Sequence, residues 1–228
     1  MNQSFDTPLA PDTLFRVARK PRVWAWIDLK YTGQGRWDDP ERRYAVLYAS
    51  RDSFGAYLES LSQFQPDLEL VAQLKQTRKN AAGLKATAPA GRVPADWRSQ
   101  RLLGRGAPDR VGGAFVAVGR AATLAVLRRE LAPIAHHLGI EEIDAGVIRL
   151  DYSDKFRAFT QAVSRFIYEQ PEAYAGIFYL GQHGDDVENY AILQRGDESP
   201  VSDWGSSEID LDDEDFLRAC RLLGIEPA

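Results

Sequence analysis

Arg36, Tyr48 and Glu59 lie within a short reach of chain, and their types suit one chemistry. A planar guanidinium grips phosphate oxygens two at a time. A tyrosine ring stacks on a flat heterocycle. A carboxylate stabilises the positive charge that grows on a ribose as its glycosidic bond breaks. A dinucleotide losing nicotinamide would use all three.

The elements that must position them are consecutive. Gly35-Arg36-Trp37-Asp38-Asp39-Pro40 has turn chemistry. Tyr44-Ala45-Val46-Leu47-Tyr48-Ala49 is a short apolar and aromatic run, read as a buried strand. Asp52 or Ser53 then caps a helix whose apolar positions Phe54, Leu58 and Leu61 recur at helical spacing. Short connections keep such neighbours close, so these three side chains, together with Arg16, are expected to converge on one concave pocket. Arg16 sits in an earlier strand, Thr13 to Ala18, and alternates there with Phe15 and Val17. The residues alone leave it between a solvent-facing position and a place on the same cleft.

The remaining pattern predicts one α+β domain with a mixed or antiparallel sheet. Strands are expected at 13–18, 44–49, 114–118, 176–180 and 189–193, the last two as a hairpin. Helices are expected at 53–64 and 154–169, packed on the sheet. Residues 1–12 read as a loose lead-in before a domain spanning 13–228. Val23 to Leu29, with Trp24 and Trp26, suits either a short strand or an aromatic wall. Leu68 to Leu74 suits a short helix, and residues 75–113 read as a long loop with a local basic excess. Ala121 to Leu138 has an apolar helical face that Pro133 should kink or split. Val147-Ile148-Arg149-Leu150 reads as a strand, and 207–228 reads as a C-terminal helix, with the acids Asp212 to Asp215 toward its start and Gly224 as its stop.

Composition excludes several classes. The net charge of -5 argues against an undirected nucleic-acid binder. No apolar run approaches a membrane span, and Met1-Asn2-Gln3-Ser4-Phe5-Asp6 lacks the pattern of a signal peptide. The single cysteine, Cys220, can form no intrachain disulfide and sits among apolar neighbours as core packing. These features point to the cytoplasm. His136 and His137 are adjacent and so point about 100° apart on a helix; no metal centre is expected, and there is no phosphate-binding glycine motif.

An ordered series of short motifs gives the chain a resemblance. Leu14-Phe15-Arg16, Gly35-Arg36-Trp37, Val46-Leu47-Tyr48-Ala49, Ala56-Tyr57-Leu58-Glu59, Pro94-Ala95-Asp96-Trp97, Arg157-Ala158-Phe159-Thr160-Gln161 through Ile167-Tyr168, and Gly176-Ile177-Phe178-Tyr179 together resemble the RES domain family over residues 13–195. RES proteins are toxin halves of bacterial toxin–antitoxin pairs, similar in fold to ADP-ribosyltransferase toxins. The resemblance implies an enzyme that consumes NAD as substrate, with no resident cofactor, and a separate helix-turn-helix antitoxin that plugs the cleft. It assigns catalysis to Arg36, Tyr48 and Glu59, and substrate binding to Arg16, with Trp37, Gly181 and Gln182 beside it. One position departs: Gly181 stands where the family usually has a serine, so Gln182 or a backbone amide would have to replace the hydroxyl. Hydrolysis, phosphorolysis and ADP-ribosyl transfer stay open, because water, phosphate and a protein nucleophile would attack the same ribose carbon. A catalytically silent RES-like domain that binds a partner protein or a nucleotide is the alternative that Gly181 favours.

Overall fold

A computed structural model describes residues 4–66, 91–109, 112–149 and 153–227. Its centre is one mixed seven-stranded sheet: β1 (Leu14–Arg19), β2 (Val46–Ser50), β3 (Arg101–Ala107), β4 (Phe115–Ala117), β5 (Gly176–Leu180), β6 (Glu188–Leu193) and β7 (Ser202–Glu208). The spatial order is β4-β5-β6-β2-β1-β3-β7. Neighbours run antiparallel throughout except for the parallel β4–β5 pair. The middle strands β2, β5 and β6 are buried on both faces, which is why they read as near-continuous apolar runs.

The described helices are α1 (Ser53–Leu61), α2 (Ala95–Ser99), α3 (Ala121–His137), α4 (Ala145–Arg149), α5 (Asp154–Tyr168) and α6 (Glu214–Leu223). Leu124, Leu127 and Leu131 of α3 and Phe159, Val163 and Ile167 of α5 pack on Val46, Ile177 and Ala191 of the sheet. These positions repeat at three and four residues, the spacing that puts an apolar stripe on one helical face. A separate cluster joins Phe54, Tyr57, Leu58 and Leu61 of α1 to Phe216, Ala219, Cys220 and Leu223 of α6. Asp213 caps α6 through the amides of Asp215 and Phe216, and Gly224 ends it in the left-handed region at φ 67°. The α+β domain is thus as expected, with Cys220 in its core. Among the described residues no helix is long and apolar enough to cross a membrane.

Some expectations need correction. Val147-Ile148-Arg149 is not a strand but part of α4, because the Asp144 carboxylate takes the Val147 amide at 2.7 Å and turns the chain into a helix. The expected basic loop at 75–113 contains α2 and the whole of β3, which pairs with β1 from Leu14↔Gly106 to Arg19↔Arg101. Its glycines, Gly104 and Gly106, look like turn residues but serve close packing. A Cβ on Gly104 would lie 2.5 Å from Val23 Cγ1, and one on Gly106 would lie 2.6 Å from the Ser202 carbonyl. Val23 and Trp24 therefore form a buried wall against β3, not a strand. At Pro133 the split does not occur, since α3 continues through it as one helix. β7 was not foreseen, and it takes residues 207–208 from the C-terminal helix expected over 207–228, which forms only over Glu214–Leu223. Ser202-Asp203-Trp204-Gly205-Ser206-Ser207-Glu208 is an edge strand exposed on both sides with no apolar alternation. The short helix expected at Leu68–Leu74, and residues 75–90 of the expected loop, lie outside the described residues.

Candidate active site

β1 and β2 share one aligned pair, Phe15↔Ser50, and the wedge beside it is the candidate cleft. The Arg16 side chain crosses this wedge. Its Nη1 donates to the Tyr48 carbonyl at 2.5 Å and its Nε to the Val23 carbonyl at 3.2 Å. Two of its five N–H groups thereby tie β1 to β2 and to the Val23–Trp24 wall, and the other three make no hydrogen bond among the described residues. Burial lowers the Arg16 pKa to about 10, so the guanidinium is still charged at neutral pH. Arg16, Val17, Tyr48, Ser50, Glu59 and Tyr179 line a cavity of about 160 Å³ here.

Tyr48 lines the cleft while its hydroxyl is committed to the loop before the strand. Oη donates to Asp38 Oδ1 at 2.8 Å and accepts from the Trp37 amide at 3.0 Å. The other Asp38 oxygen accepts from the amides of Gly33 and Gly35, both at 2.8 Å. Loop 33–38 is thus wound around one carboxylate. Burial, then the Asp38 charge, pushes the Tyr48 phenol well above its ordinary value of 10.0, which keeps it a protonated donor.

Gly35 is required by contact. A Cβ there would lie 2.4 Å from Tyr48 Oη and 2.8 Å from Asp38 Oδ1. Gly35→Ala is therefore expected to cost about 1–3 kcal/mol, the usual range for overpacking, and to displace the tyrosine. Urea denaturation of the variant beside the parent measures it; equal midpoints would contradict this account of the loop.

The loop is gripped from the other side by one face of α5. Gln161 Nε2 donates to the carbonyls of Gly33 (3.2 Å) and Gly35 (3.0 Å), and Ser164 Oγ donates to the Trp37 carbonyl (2.7 Å). One turn on, Arg165 reaches Asp39. Positions 161, 164 and 165 stand three and four apart, so one helical face supplies all of these contacts.

Glu59 comes from α1, which Asp52 caps through the Gly55 amide at 2.7 Å. A Cβ on Gly55 would sit 3.1 Å from Ser50 Cβ, so this glycine lets the helix press against β2. Glu59 is one turn further along the same face, and its Oε1 accepts from Asn189 Nδ2 at 2.8 Å.

The structure thus brings Arg16, Tyr48 and Glu59 to one cavity. Arg36 is not on its wall. It is buried, donates to the Arg149 carbonyl at 3.0 Å, and places its guanidinium 5.5 Å from the centre of the Tyr179 ring. Tyr179 separates Arg36 from the cleft and borders a second, smaller cavity of about 60 Å³ with Arg120 and Arg149. Trp37 is fully buried and packs against Tyr179, so it supports the site from inside the core and cannot touch a ligand. Gly181 is buried, its amide bonded to the Val187 carbonyl at 2.7 Å. Gln182 is exposed, its amide 3.4 Å from His183, and is absent from the cavity wall. The sequence reading missed Tyr179, Asp38 and Asn189 as site residues. An acid two positions after Arg36, in a glycine-rich turn, was the one available signal for Asp38.

Comparison with known proteins places the chain in a family. The RES domain model matches residues 13–211. None of the curated proteins matches the chain. Among solved structures, a chain from the crystal structure of the M. tuberculosis MbcT–MbcA toxin–antitoxin complex is similar. It is 12% identical, with a TM-score of 0.46 over 96% of this chain and 91% of that one.

Proposed function

This chain belongs to the RES domain family, and from that premise we propose that it cleaves the nicotinamide–ribose bond of NAD. One observation carries the reading: Arg16, Tyr48 and Glu59, from three separate elements, line a single cleft. In the proposed reaction the bond between ribose C1′ and the pyridinium nitrogen breaks, and its electron pair leaves on nicotinamide, which becomes neutral. Positive charge develops on the ribose, and the Glu59 carboxylate stabilises it. Arg16 holds the pyrophosphate, with Arg36 reinforcing the field from behind Tyr179. The rings of Tyr48 and Tyr179 confine the flat groups. Water or phosphate then adds to C1′, and the attacking group loses its proton.

The family resemblance supports a biological role as well: the toxin half of a toxin–antitoxin pair acting on cytoplasmic NAD. A separate helix-turn-helix antitoxin would cover the cleft. The competing reading, a silent domain that binds a partner or nucleotide, rests on Gly181. Incubation of the purified protein with NAD, with and without phosphate, tests the two. ADP-ribose is the expected product of hydrolysis, and a phosphorylated ADP-ribose appearing only with phosphate marks phosphorolysis. Intact NAD in both tubes, with binding retained, would leave the silent domain.

A further inference from the structure

We propose that Asn189 is the positioning residue for Glu59, and that Gly181 leaves the room it needs. This rests on the NAD-cleaving reading and adds a residue to it. Asn189 lies on β6 and is wholly buried, yet both ends of its amide are bonded. Its Nδ2 donates to Glu59 Oε1 at 2.8 Å, and its Oδ1 accepts from Ser50 Oγ at 2.6 Å. An ionised carboxylate only accepts, which fixes the amide with its donor end toward Glu59, and the Ser50 hydroxyl then donates to the Oδ1 left on the other side. A flipped amide would set two oxygens against each other. The chain Ser50–Asn189–Glu59 therefore holds the carboxylate at one place on the cleft wall and favours its charged form.

Gly181 belongs to this arrangement. A Cβ there would lie 2.9 Å from Val187 Cγ1 and 3.1 Å from Asn189 Nδ2. A side chain at 181 would press on the nitrogen that holds Glu59. Glycine at this position is thus compatible with an active site built on asparagine, and Gln182, turned toward solvent, has no part in it.

Kinetics across pH test the proposal. Among the described residues, the other charged or titratable groups lining the cleft are Arg16 from β1, Tyr48 from β2 and Tyr179 from β5. They are untouched by substitution at 189. Asn189→Ala is expected to lower kcat on the order of tenfold, as for loss of a hydrogen bond to a charged group, with KM little changed. The acid limb of its kcat profile should move to higher pH. Asn189→Asp keeps the shape but sets a second carboxylate against Glu59. Its turnover should be poor at neutral pH and recover as the pH falls and the pair takes up a proton. Gly181→Ser, although it restores the family residue, should reduce turnover and not raise it. A parent-like kcat and pH profile in Asn189→Ala would overturn the proposal. So would a uniform loss in Asn189→Asp with no recovery in acid, provided its denaturation midpoint matches the parent's.

If the parent consumes no NAD, the enzymatic reading is what fails, and the relay is decided by NMR of the protein alone. The Asn189 side-chain amide proton facing Glu59 should resonate downfield and move upfield in Glu59→Gln. An unmoved signal would overturn the relay independently of catalysis.

Discussion

Glu59→Gln is expected to lower turnover of NAD on the order of 10²-fold or more, as for other preorganised electrostatic groups, while leaving NAD affinity nearly unchanged. The ground-state nicotinamide ribose carries far less positive charge at C1′ than the transition state does, so the carboxylate acts mainly on the latter. Glutamine keeps the shape of the side chain and can still meet the Asn189 amide through its own oxygen. What it removes is the charge. Arg16→Ala should behave differently, weakening binding as well as rate, because the guanidinium is asked to hold pyrophosphate in the ground state too. That variant also leaves the Tyr48 and Val23 carbonyls without their donor, so its folding must be checked alongside. Measurement of kcat and KM for both variants separates the two roles. Undiminished turnover in Glu59→Gln would remove Glu59 from the mechanism.

Asp39→Asn is expected to be the most destabilising conservative change in the loop that carries Arg36, at about 3 kcal/mol, the lower end for breaking a buried ion pair. The carboxylate is fully buried and accepts from the Arg43 amide (2.8 Å), Arg43 Nε (3.1 Å) and Arg165 Nε (3.0 Å), with Arg165 Nη2 closing the fork. The lower end applies because Arg165 and Arg43 reach solvent and keep partners in Glu41 and Glu169. Burial alone would raise the Asp39 pKa. Hydrogen bonds from Arg165 and Arg43 outweigh it and hold the carboxyl below its ordinary 3.8. A depressed carboxylate contributes its stability in full above the unfolded value and loses it as pH falls through the lower folded value. The gap between parent and variant should therefore be constant near neutrality and shrink only below about pH 4. Denaturation curves at pH 7 and pH 3 would check it, and an equal gap at both would contradict the assignment.

Much of this was legible because local patterns and tertiary structure agree. The apolar runs at 44–49, 176–180 and 189–193 are strands because they are buried on both faces, and burial is what such runs record. The helix bearing Glu59 was readable from its cap and from Phe54, Leu58 and Leu61. β3 was not, because Gly104 and Gly106 answer to Val23 and Ser202, which are distant in sequence. β7 lacks any apolar signal, being an edge. In the site, the meeting of Tyr48 and Glu59 followed from neighbouring elements, whereas the place of Arg16 beside them rests on the β1–β2 pairing and that of Arg36 behind Tyr179 on how α4 and β5 meet. Asn189 looked like an ordinary strand residue, since its importance lies in a hydrogen bond to a helix 130 positions away.

The central claim is that NAD is held and broken in the wedge between β1 and β2. A crystal structure of the Glu59→Gln variant soaked with NAD tests it most directly, because slow turnover preserves the substrate. The expected result is a nicotinamide ribose with C1′ facing residue 59, its rings bounded by Tyr48 and Tyr179, and the pyrophosphate on Arg16. NAD bound elsewhere, with this wedge empty, would contradict the account.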